Sequence, residues 1–162
     1  MIFVDATIFI KWLTASRRRL SLEAALSGYA LHKISRGQPA LTTTLVKDEV
    51  LIWLSRYKAS KLAVFLRSLR SLVSLRLVAP TEDHEEEAVR MYGKYPLGIS
   101  DLINLAVMKS YGVSQIYSTD AGFDRVPWVR RIFRELARER GFSGFVETLR
   151  CRGVKMDFDL PV

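Results

Sequence analysis

The chain has 162 residues, long enough for one domain with a substantial core, and 49% of them are hydrophobic, an ordinary share for a globular protein. Its single cysteine, Cys151, excludes an internal disulfide and suits a reducing cytoplasm, and no apolar run approaches the ~20 residues of a membrane-spanning helix. Lys and Arg outnumber Asp and Glu by 25 to 17, and the net charge of +8 favours phosphate-bearing or other anionic partners through long-range attraction.

The first residues, Met1-Ile2-Phe3-Val4-Asp5, carry an acid early and no basic flank, so a first strand is expected rather than a signal peptide, and a cytoplasmic location with it. Asn104 is the only asparagine, and Gln38 and Gln115 are the only glutamines; depletion of these labile amides points to a thermophilic source. Residues 7–13 predict a short apolar helix. A longer helix is expected over residues 20–35, with Leu22, Leu26, Tyr29 and Ala30 on one face and Gly37 and Pro39 as its stop.

Ala40 and Leu41 form a short apolar run, and the threonines 42–44 that follow can cap the next helix, whose Val46, Val50, Trp53 and Leu54 face inward. Glu49 lies one turn before Trp53, beside that apolar stripe, where a carboxylate needs a charged or hydrogen-bonding partner; a salt bridge to Lys47 or Arg56 is one way to meet that need. Residues 61–72 continue as an amphipathic helix and residues 75–78 as a strand closed by Pro80. The acids at 82–87 suit the positive end of a helix dipole, with His84 a surface residue among them rather than a metal ligand.

Residues 98–124 hold the densest pattern. Ser100 or Asp101 can cap a helix that is apolar nearly all round, Gly112 suits the left-handed position past its end, and residues 113–117 read as a buried parallel strand. Asp101 at a helix start and Asp120 at a strand end then face one crevice. Beyond this unit, Val129, Ile132, Phe133 and Leu136 predict the inner face of another helix. Arg130, Arg134 and Arg138 would form a ridge on it, either a phosphate-binding surface or a solvated face with Arg131 pairing Glu135. Val154, Met156, Phe158 and Leu160 alternate with polar residues, as in a half-buried strand. The βα alternation predicts a three-layer α/β/α sandwich around a mainly parallel sheet.

Asp5, Glu49, Asp101 and Asp120, with Asp124 as a fifth candidate, thus suggest an acidic pocket in a basic protein. Clustered carboxylates raise one another's pKa unless a cation neutralises them, and hard oxygen ligands select Mg²⁺ or Mn²⁺. Such ions activate water and stabilise an in-line displacement at phosphorus.

Val4-Asp5-Ala6-Thr7, the Glu49 helix, Ile99-Ser100-Asp101-Leu102-Ile103 and the run Ser118-Thr119-Asp120-Ala121-Gly122-Phe123-Asp124 resemble the successive motifs of the PIN-domain family, and within it the VapC-like toxin ribonucleases. The resemblance covers residues 1–131 of a single domain spanning 1–162, and leaves 132–162 as a C-terminal extension. It implies a Mg²⁺- or Mn²⁺-dependent endoribonuclease with Asp5, Glu49, Asp101 and Asp120 as catalytic, metal-binding acids. Asp124 matches an auxiliary acid, and Thr7 and Thr119 match hydroxyl positions that orient ligands and water. Ala6 and Trp128 depart from the family's usual small or hydroxyl residues. The partners implied are RNA as substrate, a small antitoxin protein and a second copy of the chain, with no membrane. A housekeeping nuclease of ribosomal or transfer RNA and an inactive RNA-binding scaffold are the alternatives. A haloacid-dehalogenase-like phosphatase is disfavoured, because Thr7 stands where its second Asp belongs.

Overall fold

The structure, a computed structural model, describes residues 1–160. The last two residues of the expected extension lie outside the described residues. Five short strands, β1 (Ile2–Val4), β2 (Ala40–Thr43), β3 (Leu75–Val78), β4 (Gln115–Tyr117) and β5 (Arg130–Ile132), form one sheet in the order β3-β2-β1-β4-β5, every neighbouring pair parallel. Among the described residues seven helices flank it: α1 (Ala6–Leu13), α2 (Leu22–Ser35), α3 (Thr44–Tyr57), α4 (Leu62–Ser71), α5 (Glu82–Met91), α6 (Ile99–Ser110) and α7 (Arg140–Cys151). This is the expected three-layer sandwich.

The central strands are apolar because both of their faces are covered. Ile2, Phe3, Val4, Ala40, Leu41, Ile116 and Tyr117 are all buried, each large one contributing about 1.5–3 kcal/mol. The chain lays down β1, β2 and β3 outward on one side, then returns to place β4 and β5 on the other. Strand order therefore reverses between β1 and β4, and a crevice opens at their C-terminal ends. Asp5 follows β1 and Asp120 lies just beyond β4, so the topology alone brings those two segments together.

Three expected elements take another form. Leu20 belongs not to α2 but to an isolated bridge with Met156, and Ser21 caps the helix by accepting the Ala24 N–H at 3.1 Å. Residues 154–160 form no strand beyond that bridge, which the bonds from Leu20 N to Lys155 O (2.8 Å) and from Asp157 N to Leu20 O (2.8 Å) close; α7, whose Phe142, Phe145, Val146 and Leu149 recur at helical spacing but which was not among the expected elements, precedes it. The helix expected after Val129 is instead the edge strand β5 followed by a 3₁₀ turn at Arg134–Arg138. The open edge of β4 recruits these residues, with Ile116 opposite Arg131 and Tyr117 opposite Ile132, and the gain of ladder bonds overrides the helical spacing. The ridge of Arg130, Arg134 and Arg138 consequently does not form. Arg130 lies 3.9 Å from Glu135, Arg134 pairs with Glu23 at 3.3 Å, and Arg131 turns to Asp124 rather than Glu135.

Candidate active site

Asp5 is the innermost acid. Only 3% exposed, it stands between the end of β1 and the start of α1. Its Oδ2 accepts two hydroxyl protons, from Thr7 Oγ1 and Ser118 Oγ, each at 2.7 Å. Burial pushes its pKa up, and those hydroxyl bonds with the nearby N–H groups of Ala6 and Thr7 offset part of the rise. With Oδ2 engaged twice, Oδ1 is the oxygen left for a ligand.

Ser118 had no role in the sequence-based reading. Its hydroxyl donates to Asp5 and accepts the Asp120 N–H at 3.0 Å, so one atom sets the relative position of two acids. Thr119, the hydroxyl position that the resemblance indicated, is engaged through its backbone N–H, which donates to Thr7 Oγ1 at 3.1 Å. The available signal was local: a Ser two residues before an Asp readily bonds that Asp's backbone N–H. Asp120 itself accepts the Gly122 N–H through Oδ1 at 2.8 Å. A Cβ at 122 would lie 3.0 Å from Asp120 Oδ1 and from the Pro96 carbonyl, closer than side chains ordinarily pack, so glycine suits this tight loop.

Asp101 does not cap α6, and neither does Ser100. Gly98 holds the N-cap position in extended backbone, its carbonyl accepting the Leu102 N–H at 3.1 Å, and Asp101 sits in the first turn. A helix start lowers a carboxylate's pKa by its dipole. Here the outcome is the reverse: the Asp101 pKa is pushed up to about 7, first by burial and then by the charges of Asp5, Glu49 and Asp120, against one lowering bond from Gly98. Asp5, Glu49 and Asp120 are therefore all within electrostatic reach of Asp101. Glu49, whose side chain reaches solvent from α3, is also raised, by desolvation and then by Asp5. The salt bridge considered for it is absent among the described residues, since Lys47 pairs with Asp48 at 3.6 Å.

Behind the acids, α3 and α6 meet through a polar contact. Thr43 Oγ1 caps α3 by accepting the Val46 N–H at 3.1 Å, and donates to Asn104 Oδ1 at 2.7 Å. Asn104 is fully buried, and its Nδ2 is the single buried side-chain polar atom among the described residues without a hydrogen-bond partner.

The donor set offered by the four acids is all oxygen, the chemistry of a hard divalent cation such as Mg²⁺ or Mn²⁺. Among the described residues no three acidic, His or Cys side chains already converge into a metal cage. Asp124 stands outside this group. Both its oxygens accept from Arg131, at 3.0 and 2.8 Å, and that pairing holds its pKa down. His84 closes a capping box with Thr81 and contacts Ser110, a structural role.

A model of the PIN domain matches residues 2–129 of this chain. Among solved structures, the chain is similar to VapC20 of Mycobacterium tuberculosis, a sarcin–ricin loop cleaving toxin, with a TM-score of 0.66 and 22% identity over 80% of this chain and 97% of that one. It is also similar to a chain of a toxin–antitoxin complex from Klebsiella pneumoniae (TM-score 0.58, 18% identity, 80% and 96% covered). A third similarity is to VapBC2 of Rickettsia felis, solved with a DNA fragment of its promoter (TM-score 0.57, 14% identity, 82% and 98% covered). No curated protein matches the chain significantly.

Proposed function

The chain belongs to the PIN-domain family, and on that premise we propose that it is a Mg²⁺- or Mn²⁺-dependent endoribonuclease, the toxin of a toxin–antitoxin pair. The observation that carries this reading is the gathering of Asp5, Glu49 and Asp120 around Asp101 with no ion pair to any of the four among the described residues, which together with burial pushes the Asp101 pKa up to about 7. A buried acidic group left unneutralised is a standing cost to the fold, and a site that takes up a divalent cation turns that cost to use.

Asp5, Glu49, Asp101 and Asp120 would hold the metal. When bound, it supplies charge neutralisation at the scissile phosphate and a water of lowered pKa. The chain's own part is orientation: Thr7 and Ser118 fix the Asp5 carboxylate, and Ser118 and Gly122 fix the Asp120 loop. Arg130, Arg134 and Arg138, all exposed, are the proposed contacts to the RNA backbone, now from a strand and a 3₁₀ turn instead of one helix.

The antitoxin belongs to a different surface. A cavity of about 510 Å³ between α1, α2, α4 and α7 is lined by Phe9, Trp12, Leu31, Phe65 and Phe145, and no acid contributes to its wall. Arg17, Lys61 and Arg152 border it, which suits an amphipathic segment bearing acidic residues.

The test is cleavage. Purified protein is incubated with a panel of RNAs headed by a sarcin–ricin-type stem–loop, with Mg²⁺, with Mn²⁺ and with EDTA. Cleavage in a loop, leaving a 5′-phosphate and abolished by EDTA, is expected. Cleavage that persists in EDTA overturns the metal mechanism, and intact RNA throughout overturns the nuclease reading.

A further inference from the structure

We propose that Arg131 and Asp124 form a strap that positions the catalytic loop, so that Asp124 is a positioning residue and not an additional metal ligand. The inference rests on the nuclease reading above for its catalytic consequence, though not for its geometry.

The loop that carries Asp120 begins at Ser118 and ends in the 3₁₀ turn Ala121–Arg125, where Asp124 lies. One guanidinium joins its two ends. Arg131 Nε and Nη2 donate to Asp124 Oδ1 and Oδ2 at 3.0 and 2.8 Å, and Nη1 donates to the Ser118 carbonyl at 3.3 Å. Arg131 is anchored by the β4–β5 ladder opposite Ile116, and its side chain is only 18% exposed. A planar, forked cation is what this arrangement demands, since it must meet two carboxylate oxygens and a carbonyl at once; a lysine presents a single point charge.

The strap reaches the acids through Ser118. The residue whose carbonyl Arg131 holds is the one whose hydroxyl bonds Asp5 Oδ2 and accepts the Asp120 N–H. A shift of Ser118 therefore moves Asp5 and Asp120 together. Asp124, with both oxygens engaged by one guanidinium, has its charge neutralised where it stands. The resemblance makes this position an auxiliary acid; in this chain its partner is an arginine of the neighbouring strand.

The two roles predict opposite signs. If Asp124 served as a ligand, Asp124→Asn would weaken Mn²⁺ binding, and Arg131→Met would tighten it by removing a cation from beside the acids. In a strap, both changes loosen the same loop and act in the same direction. The experiment compares full-length wild type, Asp124→Asn, Arg131→Met, Arg131→Lys and the Asp124→Asn/Arg131→Met double variant. Amide hydrogen exchange is measured without metal, Mn²⁺ binding by calorimetry, and cleavage on the stem–loop RNA. Exchange of β1 and α2 amides reports whether each variant folds, and Arg131→Lys and Asp124→Asn carry the test should Arg131→Met fail to. Exchange over residues 118–124 should rise about tenfold in both single variants. Cleavage kcat should fall about 10–100-fold, with KM within about twofold, as for groups that orient ligands. The double variant should be no worse than the more severe single one, because both remove one device, and Arg131→Lys should recover part of the loss. Mn²⁺ affinities that move in opposite directions in Asp124→Asn and Arg131→Met, or unchanged exchange over 118–124 in both, would overturn the strap. A wild type that cleaves no RNA in the panel overturns the nuclease reading alone, while exchange and Mn²⁺ binding still decide the strap.

Discussion

Two regions of the molecule hold carboxylates in different ways. At the junction of α2 with the segment leading into α7, Glu139 accepts from Lys33 Nζ at 2.8 Å through both oxygens, and from the Tyr29 hydroxyl at 3.0 Å. Burial alone would lower the Lys33 pKa, yet Glu139 and the nearby Tyr117 leave it raised, and burial together with Glu139 pushes Tyr29 up to about 12. Here the protein supplies its own cation, and the acid pins two elements together. At the ends of β1 and β4 the acids meet hydroxyls, backbone N–H groups and one another, and no ion pair reaches Asp5, Glu49, Asp101 or Asp120 among the described residues. An acid with an internal partner is a structural joint. Acids gathered without one raise one another's pKa, the arrangement on which the proposed metal site rests.

The largest expected effect lies in cleavage and metal response. Asp101→Asn should reduce RNA cleavage by at least ~100-fold, since it removes a group more direct than those whose loss costs 10–100-fold. Thermal melts should show the same variant losing most of the Mn²⁺ stabilisation, which for an intact site is about 2.7 kcal/mol at 100 times Kd. Glu139→Gln should keep both. Equal loss in the two variants would break the contrast between the regions.

A smaller effect sharpens it through pH. The Asp101 carboxyl titrates near 7 in the folded chain and near 3.8 when free, so the folded state holds a proton that the unfolded state has released. Between those values the unfolded state binds fewer protons, and stability falls as pH rises. Metal-free melts should therefore show stability declining from about pH 4 to 7, with Asp5 and Glu49, also raised, adding in the same direction. Asp101→Asn should flatten that decline, and Glu139→Gln should leave its slope alone. An unchanged slope in Asp101→Asn would mean that its neighbours do not press on it.

The smallest effect belongs to the joint itself. Glu139→Gln leaves Lys33 with a neutral acceptor, and because both side chains are partly exposed the loss should be about 1 kcal/mol, below the 1.5–3 of a fully buried charged bond. A melting point lower by about 2–4 °C, with cleavage intact, is expected.

Much of this was legible in the chain because it rests on local pattern. The apolar run at Ile2–Val4, the stripe of Val46, Val50 and Leu54, and the stop at Gly112, whose φ of 67° a side chain rarely adopts, are each set within a few residues of sequence. The positions of Asp5, Asp101 and Asp120 near element ends, and of Glu49 beside the apolar stripe of its helix, follow from the same local reading, and parallel topology then confines strand ends to one crevice. What stayed hidden depends on distant partners. Val129, Ile132, Phe133 and Leu136 have helical spacing, but the free edge of β4 claims three of the residues 129–136 as β5, and no window of sequence contains that edge. Arg131 faces two acids with comparable claims, Asp124 and Glu135, and only the pairing of β5 with β4 directs it to Asp124. Gly98 takes the cap position in place of Ser100 and Asp101 because α6 already begins at Ile99, and Asp101 is thereby left in its first turn, among the acids. Sequence alone determined the elements up to β4 and which acids the chain offers, since propensity and periodicity act between near neighbours. The tertiary structure decided which of those acids receive an internal cation, because charge acts through space, between groups that only the sheet brings together.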